Sequence, residues 1–298
     1  MTLFRTLLAA LRLLIIMLST LLHGMVLLPC SLLRLIVPKG APRNAVRRGL
    51  TLIAESWIGV NNLLIAMTRG THWDLELPAA LSRQGSYLVV CNHQSWVDIV
   101  VLQRCFNRRI PLLRFFLKRE LIWVPVLGLC WWALDFPFMH RASREELKQR
   151  PELRGRDLES ARRACEKFAE VPVAMMSFPE GTRRRAAKLG KDSDYRHLLR
   201  PKAGGIGQVV YALGDHLDGC VDVTIAYGSN GQDAEPPGFW DLLRGTIPAI
   251  QVQATLCDIP DDLLGRNFME DREARQHLQD WVSGLWREKD ERLAALQN

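Results

Sequence analysis

No two cysteines in this chain form a C-x-x-C pair. The seven, Cys30, Cys91, Cys105, Cys130, Cys165, Cys220 and Cys257, are odd in number and scattered. That pattern excludes a zinc ribbon or dithiol motif and argues against a disulfide framework, so the catalytic part is expected to face a reducing, cytosolic compartment. Internal repeats and low-complexity linkers are lacking too, which excludes solenoids and disordered arrays. A net charge of +7 and a pI near 9.2 invite a nucleic-acid reading. There is, however, no zinc-finger spacing, no ribonucleoprotein motif and no isolated basic helix. A membrane surface or an acidic substrate is the better partner for that charge. With 298 residues and 48% hydrophobic content, the chain can bury one large catalytic domain and still spare an anchoring segment.

Charge is missing altogether from residues 13–33, a run of 21 bounded by Arg12 and Arg34. Its length suffices to cross a bilayer core. A cleavable signal peptide does not fit, because no small-x-small site follows and Pro29 precedes Cys30 where a lipoprotein site needs a small residue. A second apolar stretch, 50–68, follows the basic cluster Lys39, Arg43, Arg47 and Arg48. It sets Leu50, Ile53, Ala54, Trp57, Leu64 and Ile65 along one helical stripe interrupted by Asn61. An interfacial helix and an ordinary core helix both fit it. The expected division is a membrane-anchoring segment over 1–70 and a catalytic domain over 71–298. Residues 1–40 are expected to hold the membrane and take no part in bond making. Basic flanks put the domain on the cytoplasmic side, with a re-entrant hairpin as the other geometry. A third run, 121–134, is too short to span. Its Trp123, Trp131 and Trp132 fit a headgroup-level surface, the wall of an acyl-chain groove or a plain core.

From about residue 86, short apolar runs alternate with helical ones. Strands are predicted at 87–91, 133–139, 173–178, 221–227 and 250–256. A helix is predicted over 157–170, where Leu158, Ala161, Ala164, Cys165 and Phe168 recur at helical spacing. Residues 258–298 read as helical. The alternation predicts an α/β domain with a mostly parallel sheet flanked by helices. In such sheets ligands gather at the carboxyl ends of strands. Both polar motifs fall there: Asn92-His93-Gln94-Ser95-Trp96-Val97-Asp98 and Phe178-Pro179-Glu180-Gly181-Thr182-Arg183.

A hydroxyl near neutral pH is a poor nucleophile until a base takes its proton, and histidine titrates in the useful range. Ser95-x-x-Asp98 reads as a helix start that turns the Asp98 carboxylate back toward His93. Asp98 would then fix the imidazole tautomer in the manner of a triad whose hydroxyl comes from the substrate. Helix-start amides nearby are the expected oxyanion donors. In the second motif Gly181 permits a tight turn, and Thr182 and Arg183 can donate to phosphate oxygens. A helix cap with an incidental histidine, and a turn with a surface ion pair, are the plainer readings of each motif alone.

The two motifs in this order resemble N-H-x-x-x-x-D and F-P-E-G-T-R of the glycerophospholipid acyltransferases. Phe138-Met139-His140-Arg141 is similar to the family's second motif, with Arg141 kept and the leading Gly replaced by Asp135. Pro201-Lys202-Ala203-Gly204 is similar to the basic segment downstream of the third. The residues 222–227 take the place of the fourth without its prolines. The wording is most similar to the 1-acylglycerol-3-phosphate and lysocardiolipin acyltransferase branch and its bacterial inner-membrane relatives. The resemblance, over about 85–230, implies a glycerol-3-phosphate-acyltransferase-like sheet and acyl transfer from acyl-CoA or acyl carrier protein to the sn-2 hydroxyl of lysophosphatidic acid. It implies His93 and Asp98 as catalytic residues, with Glu180, Gly181, Thr182, Arg183, Arg141 and Lys202 at the acceptor. No cofactor beyond the acyl donor and no metal are expected. Another lysophospholipid acceptor (lysophosphatidylglycerol, lysocardiolipin or an amino-acid lyso-lipid) and a non-catalytic lipid-binding relative are the alternatives. The basic stretch Arg184, Arg185, Lys188, Lys191, Arg196 and Arg200 suits anionic lipid or carrier phosphates, or simply solvent. Cys91 at a strand end suits burial better than an acyl-cysteine.

Overall fold

The structure, a computed structural model, describes residues 2–139, 162–163, 165, 168, 171–184, 194–228, 235–268 and 270–296. Two long helices lead: α1 (Thr2–Ile36) and α2 (Ala41–Ala66). The sheet follows as β1 (His72–Glu76), β2 (Tyr87–Cys91), β3 (Leu113–Arg114), β6 (Ala174–Ser177), β7 (Gly219–Tyr227) and β8 (Ala249–Cys257). A separate parallel pair is formed by β4 (Leu117–Lys118) and β5 (Phe138–Met139). The remaining helices are α3 (Val97–Phe106), α4 (Leu127–Ala133), α5 (Gly204–Leu213), α6 (Phe239–Arg244) and α7 (Arg272–Leu296).

The six strands lie in the order β1-β8-β7-β2-β6-β3, and only β7 with β8 is antiparallel. β2 and β7 are buried along their whole length, as central strands covered on both faces must be. One apolar layer joins the sheet to α3 through Val97, Val101, Leu102 and Phe106. The other joins it to α5 and α7 through Ile206, Val210, Leu278 and Trp286. From α7, Lys289 reaches fully buried Asp222 on β7 at 2.6 Å, and Arg292 bonds the same carboxylate. A buried charge without such partners would cost several kcal/mol.

Four of the five predicted strands appear within two residues of their expected bounds. The exception is 133–139. There α4 runs through Ala133, Asp135 turns the chain at φ +63°, and only Phe138–Met139 pairs. Most of the predicted 157–170 helix lies outside the described residues. β1, β3 and β4 were not foreseen: β1 is a mostly polar edge strand, and β3 and β4 pair only two residues each.

Both α1 and α2 are long and apolar enough to cross a membrane. α1 spans about 52 Å at 1.5 Å per residue and leaves Leu14, Leu18, Leu22 and Met25 on an exposed face. Its other side packs against α2, α4 and α6. Arg12, the charge that ends the apolar run, donates to the carbonyls of Met67 (3.0 Å) and Leu243 (2.8 Å). These lie at the carboxyl ends of α2 and α6, where a cation is favoured. α2 buries Leu50, Ala54, Ile58, Leu64 and Ile65, and its buried Glu55 takes a two-pronged bond from Arg83 at 2.8 Å. Asn61 is buried within the stripe rather than standing outside it. The run 121–134 divides: Trp123 and Trp132 are exposed, whereas Leu121, Trp131 and Leu134 line a cavity.

Candidate active site

β2 and β6 are parallel neighbours, so the loops leaving their carboxyl ends meet. That adjacency brings the two motifs together. His93 Nδ1 lies 2.9 Å from Asp98 Oδ2. The same oxygen accepts the N–H groups of Gln94 (2.7 Å) and Ser95 (2.8 Å), and the Tyr227 hydroxyl donates to Oδ1 at 2.6 Å. Asp98 is fully buried, and a buried carboxylate requires this many donors. With Nδ1–H committed to Asp98, the lone pair of the neutral ring sits on Nε2. Phe178 stacks on the imidazole, with centroids 4.1 Å apart and planes at 16°.

The turn of Asp98 toward His93 follows the sequence expectation, and so does the capping by Ser95, whose own N–H the Asp98 carboxylate accepts. The helix begins at Val97, and Ser95 Oγ accepts its N–H (3.1 Å) while donating to the Pro237 carbonyl. Four of the amides around the helix start are engaged. Gln94 and Ser95 N–H serve Asp98, Val97 N–H serves Ser95 Oγ, and Asp98 N–H reaches the Ser95 carbonyl. A buried carboxylate this close takes the nearest amides for itself.

Glu180 is 2% exposed. Its Oε1 accepts the His93 N–H at 2.7 Å and its Oε2 the Leu199 N–H at 3.2 Å. Burial pushes its carboxyl up to about 7, reinforced by the Asp98 charge and opposed by those two N–H groups and Arg184. Glu180 therefore ties the histidine loop to the 194–200 loop. The Arg184 N–H donates to the His93 carbonyl at 2.8 Å, a second tie.

Gly181 has φ +67°, the left-handed region open to glycine. A Cβ there would lie 3.5 Å from Lys202 Nζ, so that ammonium stands over the turn. The Lys202 N–H donates to the Pro179 carbonyl at 2.9 Å. The Arg183 guanidinium lies 4.9 Å from the Trp96 ring centroid, a cation–π contact between the two motifs. Thr182 is half-buried in the same turn. Arg141 lies outside the described residues, as do Arg185, Lys188 and Lys191. Asp135, standing where the family has Gly, holds a left-handed backbone that Asp tolerates, with Arg34 at 2.9 Å and Arg47 at 3.4 Å from its carboxylate.

A cavity of about 510 Å³ adjoins the site. Its walls include Trp96 of the first motif, Met176 just before the second, and Ile16, Thr20, His23 and Gly24 from α1. α1 thus contributes to an internal surface as well as an exposed one. Cys91 is fully buried and its thiol is pushed well above the usual range by burial, which leaves it inert as a nucleophile.

Residues 74–228 match the family model described as Acyltransferase. The chain belongs to the acyltransferase family. Lysocardiolipin acyltransferase 1 of Mus musculus is 26% identical over 221 residues, 69% of this chain and 53% of that protein. The Gallus gallus protein of the same name is 25% identical over 256 residues, 81% and 61% respectively. The Danio rerio one is 28% identical over 225 residues, 69% and 51%. The chain thus spans about half to three fifths of the length of these curated relatives. Among solved structures, the crystal structure of the 1-acyl-sn-glycerophosphate (LPA) acyltransferase PlsC from Thermotoga maritima aligns at TM-score 0.49 and 19% identity, covering 94% of this chain and 98% of that one.

One member of the candidate site, Tyr227, was not read from the sequence, and Glu180 was read at the acceptor without its partners. Tyr227 was taken as the end of a strand; the available signal was a polar aromatic at the carboxyl end of a strand, where the sheet collects its chemistry. The role of Glu180 as a brace between loops had no local signal, since its partners are backbone N–H groups 87 and 19 residues away.

Proposed function

We propose that the chain moves a fatty acyl group from acyl-CoA or acyl carrier protein to the sn-2 hydroxyl of lysophosphatidic acid, giving phosphatidic acid. The observation that carries this is His93, fixed at Nδ1 by a fully buried carboxylate, in the same loop pair as the Arg183 and Lys202 cations. His93 Nε2 takes the hydroxyl proton as that oxygen attacks the thioester carbonyl. The tetrahedral adduct then collapses, the C–S bond breaks, and the thiolate leaves with the proton returned by the imidazolium. Asp98 holds the tautomer and offsets the imidazolium charge. Arg183, Lys202 and Thr182 recognise the acceptor phosphate, with Arg141 as a further donor by resemblance, and Glu180 and Gly181 shape the loop that presents them. The apolar cavity suits the acyl chain.

The names of the curated relatives favour a second reading, in which the chemistry is the same and the acceptor is lysocardiolipin or another lysophospholipid with a larger headgroup. The exposed apolar faces of α1 support membrane association. The basic flanks support a catalytic domain on the cytoplasmic side, and the bacterial inner membrane is proposed from the resemblance alone. The test is purified protein in detergent, offered acyl-CoA or acyl carrier protein and a panel of lyso-lipids, with products read by mass spectrometry. Diacyl phosphatidic acid as the main product supports the first reading, and preference for lysocardiolipin the second. No acylated product with any acceptor refutes both.

A further inference from the structure

β7 runs parallel to β2, so both strands deliver their carboxyl ends to the same edge of the sheet. Asn92 locks the two ends together, its Nδ2 donating to the Ile225 carbonyl and its Oδ1 accepting the Ile225 N–H, both at 2.9 Å. Gln94 Nε2 adds a bond to the same carbonyl at 2.7 Å. Two residues on, on the same face of the strand, comes Tyr227, packed in the layer that contains Val97 and Val101 of α3. Its hydroxyl is the one donor on Asp98 Oδ1 among the described residues, while Oδ2 serves His93, Gln94 and Ser95.

We propose that Tyr227 is a positioning residue for the acyl transfer: by holding Oδ1 it fixes the plane of the Asp98 carboxylate and shares its charge, and so sets how strongly Asp98 grips His93. The inference rests on the reading of His93 as base. Oδ1 has no route to water, because Asp98 is fully buried, and without the phenol a buried lone pair would be left unmet. Burial and the Asp98 charge raise the Tyr227 phenol well above its usual range, which keeps it a donor at any working pH. A carboxylate relieved of this donor concentrates its charge on the histidine side; one facing a stronger donor gives up charge there.

Two variants change that donor in opposite senses. Tyr227→Phe keeps the ring in the core and deletes the hydroxyl, and 3-fluorotyrosine at 227 makes the phenol a stronger donor in an unchanged fold. With the full chain in detergent micelles, kcat for Tyr227→Phe should fall about tenfold while the acceptor KM stays the same. The low-field proton resonance of His93 Nδ1–H should move downfield in Tyr227→Phe and upfield with fluorotyrosine. A structural role alone would move neither resonance in this paired way. Unchanged kcat in Tyr227→Phe, or resonances that shift together or not at all, overturns the inference even if His93→Ala is inactive. Normal turnover by His93→Ala overturns the base reading itself, and the inference with it.

Discussion

Glu180→Gln isolates the energetic cost of the loop brace. The Glu180 carboxyl sits at about 7 in the folded chain against an ordinary 4.5, with burial as the main cause. An acid that binds its proton more tightly when folded favours folding in its protonated form. That contribution is complete below about pH 4.5 and is lost as pH rises through about 7. A difference of about 2.5 units corresponds to about 3 kcal/mol, at about 1.4 kcal/mol per unit. The charged form that destabilises the fold is also the one that accepts both N–H groups, from His93 and Leu199. A neutral amide has one acceptor oxygen and its NH₂ opposes the other N–H. Glu180→Gln should therefore remove about 3 kcal/mol of pH dependence between pH 4.5 and 7.5, seen as a flatter profile of thermal or urea unfolding midpoints in detergent. It should also lower acyl transfer about tenfold at pH 8, because one end of the brace is lost and His93 loosens. If the variant keeps the wild-type pH dependence of stability, Glu180 is not the titrating group and the brace argument fails. If its stability profile flattens but turnover is unchanged, the brace has no bearing on His93.

Asp98→Asn preserves shape and takes the charge from all four bonds the carboxylate accepts; acyl transfer should fall by a factor of about 10²–10⁴, and a rate within threefold of wild type would remove Asp98 from the mechanism. Arg183→Ala should weaken use of lysophosphatidic acid about ten- to a hundredfold, as expected for one charge-assisted contact; monoacylglycerol, which lacks the phosphate, should be affected far less, and equal losses on both acceptors would refute phosphate reading by Arg183. A chain beginning at Arg43 loses the α1 wall of the cavity and the Arg12 bonds to Met67 and Leu243, so it should turn over long-chain donors at least tenfold more slowly than short-chain ones relative to the full chain; unchanged chain-length dependence would return α1 to anchoring alone.

Four of the strands and both motifs were legible because their signals are local. An all-buried run such as Tyr87–Cys91 is a strand wherever it pairs, and the three-residue reach from Asp98 back to Ser95 is set by helix geometry. What the sequence did not reveal depends on neighbours that only the sheet order supplies. Tyr227 and Asp98 are 129 residues apart and meet because β7 lies against β2. The amides just before α3 follow the same rule: the carboxylate that orients His93 takes those of Gln94 and Ser95, so the feature that makes Asp98 useful also consumes donors beside it. The same logic applies to α1. Residues 13–33 look like a simple membrane segment by composition, yet Gly24 lets α1 approach α4 so closely that a Cβ would stand 3.0 Å from Val126 Cγ1. A glycine in mid-helix weakens the helix by about 1 kcal/mol relative to alanine, and lipid contact alone gives no reason to bear that cost. Close packing against the wall of the cavity does.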